Sequence, residues 1–154
     1  MNQIKPIVST IASTLAKLND QELELRLKDL ATKERKILHV ILEHIKEFET
    51  RKLYLARAYS SVFEYLVKEL GYSNSAAMRR LEAARLLRDV PIVAEKIKEG
   101  SINLSQIGEL SRALKEKEKF TGDKVSREVQ AELVCSISGK TTKETQKENA
   151  GRGC

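Results

Sequence analysis

Apolar side chains recur every three or four residues along most of this chain, and this spacing constrains its fold more than any other feature. The clearest stretch covers residues 33–59, which contain no glycine and no proline. Its apolar positions follow one face of a helix: Ile37, Leu38, Ile41, Ile45 and Phe48. We therefore expect a long central helix that runs past Tyr54, of the kind that forms the spine of a bundle or half of a dimer interface.

Start and stop signals divide the rest of the chain into further helices. With two prolines and seven glycines among 154 residues, there is little room for a turn-rich β architecture, and no convincing strand-like alternation occurs. Residues 115–124 are expected to form a polar connection. The predicted helix boundaries are Asn19 and Asp20, Thr32, Ser60 and Ser61, Gly71, Pro91, Gly100 and Gly139.

Residues 61–88 have the sequence pattern of a helix-turn-helix. Ser61 and Glu64 have the spacing of a capping box, and Gly71 ends a helix of about ten residues. After a very short turn, Ser73 or Asn74 caps a second helix that runs to about Arg88. Such a turn fixes the crossing angle of the two helices, so that the second helix can enter the major groove of DNA.

The candidate DNA contacts lie at the start and on the outer side of this second helix. On a helical wheel one broad arc holds Ala76, Ala77, Leu81, Ala83, Ala84 and Leu87, and Arg79 and Arg85 fall outside it. Arg80 falls inside the arc, so we expect a structural role for it, held by a carboxylate or by backbone carbonyls. The predicted DNA-contacting residues are Ser73, Asn74, Ser75, Met78, Arg79, Glu82 and Arg85.

The predicted fold class is all-α: a helical bundle with a helix-turn-helix, a long central helix and a flexible polar C-terminal tail. We expect three parts. Residues 1–57 form N-terminal helices suited to dimerisation, residues 58–138 form the domain with the helix-turn-helix, and residues 139–154 form the polar tail.

The net charge of +6 and the pI of about 9.3 favour an anionic partner. We expect double-stranded DNA, bound by a homodimer that presents two reading helices. The alternative is a helical module for protein–protein interaction or assembly, without nucleic-acid binding. That alternative predicts a large exposed apolar patch on residues 1–48 and no basic face around Arg79.

We expect no catalytic residue, metal site, cofactor or small-molecule substrate. His39 and His44 are five residues apart and so point in different directions on a helix, and the sequence has no phosphate-binding glycine loop or nucleophile elbow. Cys135 is expected to be a small buried residue. Two cysteines without a disulfide pattern suit the cytoplasm, and no apolar run is long enough to span a membrane.

Two segments carry a resemblance to known proteins. The order LGYSNSAAMRRLEAARLL, a proline, a short helix and EGSINLSQIGEL is similar to the DNA-binding region of ParB/KorB-type partition proteins. More specifically, RKLYLARAYSSVFEYLVKELGYSNSAAMRRLEAARLLRDVP and KIKEGSINLSQI make residues 28–114 resemble the N-terminal helical region of bacterial HNH-endonuclease-like proteins. In that family the nuclease site lies in a C-terminal domain that needs histidines, and this chain has none after His44. The resemblance implies that this chain corresponds to the targeting half of such a nuclease, without its catalytic half.

Overall fold

The structure of the protein, a computed structural model, describes residues 4–140, with side chains from Thr10 onward. Over this range it contains helices and no strand, which confirms the predicted all-α class. The predicted tail beyond Lys140 lies outside the described residues. The helices are α1 (Ile4–Ala16), α2 (Asp20–Thr50), α3 (Leu53–Ala56), α4 (Val62–Lys68), α5 (Asn74–Asp89), α6 (Ile92–Glu99), α7 (Leu104–Thr121) and α8 (Arg127–Ile137).

The chain divides into two compact units, one up to Glu34 and one from Arg35 onward. In the first unit, Asn19 caps the start of α2: its Oδ1 accepts the N–H of Glu22 at 2.9 Å, and the Glu22 carboxylate accepts the N–H of Asn19 at 3.2 Å. None of the described side chains from Thr10 to Glu34 is buried. The predicted domain boundary at residue 57 stays a prediction.

Helix α5 lies between two apolar clusters that form the core of the second unit. Its Ala83 and Leu86 belong to the larger cluster, which Leu42 of α2 and residues of α6, α7 and α8 complete. Its Ala77, Leu81 and Ala84 belong to a smaller cluster with α4 and the last turns of α2. Alanines at three of these positions allow the neighbouring backbones to approach closely, so α5 is held on most of its circumference.

The connection from α4 to α5 follows the predicted capping pattern with one change. The Oγ of Ser61 accepts the N–H of Glu64 at 3.1 Å, but the Glu64 carboxylate accepts from the N–H of Ser60, at 2.8 Å, instead of from Ser61. Gly71 has a left-handed backbone (φ +75°), which a residue with a Cβ adopts only at a cost. Ser73, rather than Asn74, then caps α5 by accepting the N–H of Ala76 at 3.2 Å.

The start of α7 is fixed by a complete capping box. Asn103 is the cap: its Oδ1 accepts the N–H of Gln106, whose Oε1 accepts the N–H of Asn103. The Gln106 side chain is buried, and its Nε2 donates to the carbonyl of Ile137 at 3.2 Å and to that of Lys140 at 2.5 Å. One glutamine thus starts α7 and ties the end of α8 to it.

Two predicted boundaries on α2 are wrong. Thr32 does not cap a new helix, because its Oγ1 donates to the carbonyl of Lys28 at 3.0 Å and the helix continues through it. The helix then ends at Thr50 instead of passing Tyr54. The chain reverses at Lys52, whose backbone is left-handed (φ +54°).

Two further expectations are wrong in the C-terminal part. Residues 115–121 are helical, because lysine and glutamate favour a helix even without an apolar stripe, and α7 ends at Gly122 (φ +78°). Cys135 is exposed instead of buried, since it lies on the outer side of α8 away from Val134 and Ile137.

Candidate nucleic-acid interface

The side of α5 that does not face the two clusters is exposed along the length of the helix. We call it the outer strip, and it consists of Asn74, Ser75, Met78, Arg79, Glu82 and Arg85. All of these side chains are exposed except that of Glu82, which is partly buried. The arginines and small polar residues predicted to contact DNA therefore face away from the core.

The start of the strip is occupied by the helix cap. Ser73 is exposed, but its Oγ accepts the N–H of Ala76 and lies 3.4 Å from the Oγ of Ser75. The first turn of any helix leaves backbone N–H groups that point outward and carry partial positive charge. At this end, Ser73 therefore orders the helix, and Asn74 and Ser75 are the side chains available to a ligand.

A groove of about 650 Å³ runs between α5 and α7. We call it the α5/α7 groove. From α5 it is lined by Ser75, Met78, Arg79 and Glu82, and from α7 by Ser105, Gly108, Glu109, Arg112, Lys115 and Glu116. Because Gly108 has no side chain and nothing lies within 4 Å of where its Cβ would be, the groove stays open at this point.

Charges of both signs line this groove, and most are paired. The Nζ of Lys115 lies 2.7 Å from the Oε1 of Glu82, and Arg112 pairs with Glu109 one turn away on α7. Arg79 forms no ion pair and no side-chain hydrogen bond with any residue that the structure describes. Among the cations of the groove, its guanidinium is therefore the one that is free to bind an external anion.

Arg85 lies outside the α5/α7 groove and has a partner within the protein. Its Nη2 is 2.9 Å from the carboxylate of Glu49, which also lies 3.1 Å from Arg88. Glu49 is at the end of α2 and only 19% of its side chain is exposed. The structure thus brings four predicted contacts, Ser75, Met78, Arg79 and Glu82, into one groove, and it places Arg85 in a clamp between α2 and α5.

Arg80 has the structural role that its position on the wheel predicts. Its Nη1 donates to the carbonyl of Ala76 at 3.2 Å, and its guanidinium stacks over the ring of Tyr72, 4.6 Å from the centroid. Tyr72 lies in the turn between α4 and α5, so this contact fastens the turn to the helix that follows it.

The α7 side of the groove was not among the predicted contacts. Ser105, Gly108, Arg112 and Lys115 are spaced by three, four and three residues, which places them on one face of a helix. The sequence therefore places these four residues on one helix face. It does not show that this face lines a groove, because that requires α7 to continue beyond residue 114 and to pack beside α5.

The titratable groups with shifted pKa values lie away from the groove. The ammonium of Lys68 and the hydroxyl and N–H of Ser60 lower the pKa of Glu64 to about 2. Hydrogen bonding to Glu69 raises the pKa of Tyr59, and Lys46 lowers that of Glu43. Within the described part of the chain, no three His, Cys, Asp or Glu side chains are grouped so that they could hold a metal ion.

Comparison with protein families, with characterised proteins and with solved structures finds no match to this chain. The resemblance to HNH-endonuclease-like proteins and to partition proteins therefore stays a prediction. Among residues 4–140, no helix is both long enough and apolar enough to cross a membrane.

Proposed function

We propose that this protein binds double-stranded DNA through a helix-turn-helix formed by α4 and α5, and that it acts by binding and not by catalysis. The observation that carries this proposal is the outer strip: a polar and basic edge, exposed on a helix that is otherwise fixed between two apolar clusters. A reading helix needs both properties, because it must project outward and keep its orientation when it meets a duplex.

The side chains of the strip suit different parts of a duplex. Arg79 can bind a phosphate or the edge of a guanine, since it has no carboxylate partner among the described residues. Asn74 can pair with an adenine, and Met78 offers an apolar contact to a thymine methyl group. The first-turn N–H groups of α5 and the Ser75 hydroxyl suit a phosphate.

Across the groove, α7 can extend the contact to the DNA backbone. Arg112 and Lys115 are exposed over most of their length, at 62% and 64% of the side chain. Arg112 can turn from Glu109 to a phosphate, whereas the largely buried Glu82 holds Lys115 in place. We also propose, from the sequence motifs alone, that the protein acts in the cytoplasm and resembles the targeting half of a bacterial HNH nuclease.

The test is fluorescence anisotropy of a labelled random-sequence duplex, titrated with the full chain at two salt concentrations. We expect the affinity to fall as salt rises, because binding releases counterions from the phosphates. Arg79→Ala should weaken binding about tenfold or more and, if Arg79 contacts a phosphate, lower the salt slope by about one unit.

Arg51→Ala is the matched control, because it removes the same charge from an exposed arginine at the end of α2, where Arg51 pairs with Glu47. If both substitutions weaken binding equally, binding reflects net charge and the outer strip is not the interface. If the unchanged chain binds no duplex at low salt, the proposed function is wrong.

A second candidate function is protein–protein assembly, which the apolar surface of α2 favours. Leu25, Leu27 and Leu30 are each at least 60% exposed, and a soluble chain rarely leaves so many leucines uncovered along one segment. An assembly module without DNA binding would show self-association or partner binding in the absence of any change in duplex anisotropy.

A further inference from the structure

The first half of α2 is exposed on all its sides in the part of the chain that the structure describes. From Asp20 to Leu30 every side chain is exposed, and four of them are leucines. A helix segment of this length is marginal in water, and most helices in proteins are stabilised by burying an apolar face. This segment offers such a face without any described residue to pack on it.

Three of the leucines share one face of the helix. At about 100° per residue, Leu23, Leu27 and Leu30 fall within an arc of about 60°, with the spacing of four and three residues that coiled coils use. They are 44%, 65% and 60% exposed. Leu25, which is also 60% exposed, lies on the opposite side. We call the face of Leu23, Leu27 and Leu30 the leucine seam.

Charged residues of both signs lie along each side of this seam. At the same 100° per residue, Arg26 and Lys33 share one side with Glu22 and Asp29, and Glu24 shares the other with Lys28. Neither side carries charge of a single sign, so a second copy finds opposite charges beside the seam.

The charge of the N-terminal segment also permits self-association. Residues 1–34 carry five basic and five acidic side chains, so their net charge is zero although the whole chain carries +6. Two copies of this segment therefore meet without net repulsion. The ion pairs within the segment, Glu24 with Lys28 at 2.6 Å and Asp29 with Lys33 at 2.7 Å, are more than half exposed and can rearrange easily.

We propose that the leucine seam is the dimerisation surface of this protein and that its occupant is the same seam of a second copy. Together with the exposed Ile11 and Leu15 of α1, pairing would bury on the order of 1,000 Å², near the lower limit for a specific interface. The inference does not depend on DNA binding, because the oligomeric state is measured without DNA.

The experiment is sedimentation velocity of the full chain over a range of micromolar concentrations, comparing Leu27→Lys with Leu25→Lys. The two substitutions make the same change at leucines of similar exposure on opposite faces of one helix. We expect a dimer for the unchanged chain and for Leu25→Lys. Leu27→Lys should raise the dimer dissociation constant about 100-fold or more, because each dimer loses two leucines from its seam.

Contact between the two seams is tested by cross-linking. In a chain with Cys135→Ser and Cys154→Ser, a Leu27→Cys substitution should form an intermolecular disulfide readily, because position 27 is the middle of the seam and lies near its copy whichever way the second helix runs. A monomer at all concentrations, or a dimer that Leu25→Lys disrupts as strongly as Leu27→Lys, would contradict the proposed dimerisation surface. A dimer that does not cross-link at position 27 would contradict it as well.

Discussion

Glu82 of α5 and Lys115 of α7 form an ion pair across the α5/α7 groove, with 2.7 Å between Oε1 and Nζ. The carboxylate is largely buried, with 14% of its side chain exposed, and the lysine is exposed. The pair therefore holds a negative charge beneath the surface that we propose meets phosphates. It also keeps part of the positive charge of Lys115 directed inward.

Glu82→Gln should strengthen DNA binding. The substitution keeps the shape of the side chain but removes the carboxylate, which frees Lys115 to contact a phosphate. Anisotropy titrations should give a dissociation constant several-fold lower, with a salt slope steeper by about one unit. Glu95→Gln, which breaks the exposed pair with Lys98 on α6, is the control and should have a smaller effect. Equal effects of both substitutions would mean that only the net charge matters.

The Glu49 clamp should matter more for stability than the surface ion pairs do. Glu49→Gln leaves Arg85 and Arg88 without their shared carboxylate at a position that is mostly buried. We expect the free energy of unfolding, measured by urea denaturation, to fall by about 1–2 kcal/mol. Glu47→Gln on the same helix disrupts an exposed pair with Arg51 and should cost about 0.5 kcal/mol or less. If Glu47→Gln lowers the free energy of unfolding as much as Glu49→Gln does, the Glu49 clamp adds no more stability than an exposed ion pair.

The sequence predicted what depends on neighbours along the chain. The all-α class, the turn at Gly71, the capping of α5 and the role of Arg80 each follow from residues within one or two helical turns of each other. The sequence does not distinguish Ser73 from Asn74 as the cap of α5, because both residue types are good caps and only the hydrogen-bond geometry separates them.

What the sequence could not predict depends on contacts between distant residues. Arg85 lies on the outer side of its wheel, but Glu49 is 36 positions earlier, and nothing in the local pattern pairs the two. The groove requires the packing of α5 on α7. The sequence predicts too short an α7, because the last residues of this helix carry lysines and glutamates in place of an apolar stripe. Periodicity detects buried faces, and this part of the helix has none.

Two glycines should respond in opposite ways to alanine. Gly108 lies inside α7 with nothing within 4 Å of its missing Cβ, so Gly108→Ala should raise the free energy of unfolding by about 0.5–1 kcal/mol. Gly100 is left-handed (φ +78°), and a Cβ there would lie 2.9 Å from the Nε of Arg35. Gly100→Ala should therefore lower the free energy of unfolding by about 1 kcal/mol or more. Urea denaturation of both variants checks the signs, and stabilisation by Gly100→Ala would contradict the left-handed backbone.

Glu64 should make the protein sensitive to acid. Its hydrogen bonds to Lys68 and Ser60 lower its pKa from 4.5 to about 2 in the folded state. Because the folded pKa is the lower one, the stabilisation is complete above the unfolded value and is lost as the pH falls toward 2. We expect the free energy of unfolding of the unchanged chain to decrease over this interval. Urea denaturation at several pH values measures the decrease.

The Glu64→Gln variant provides the comparison for this acid response. It cannot ionise at position 64, so its stability should fall less steeply between about pH 4.5 and 2, although Glu43, whose pKa is also lowered, still contributes a slope. At neutral pH the variant should be less stable than the unchanged chain, because it lacks the charge-assisted bonds to Lys68 and Ser60. Parallel pH profiles for the two proteins would mean that Glu64 titrates alike in the folded and unfolded states.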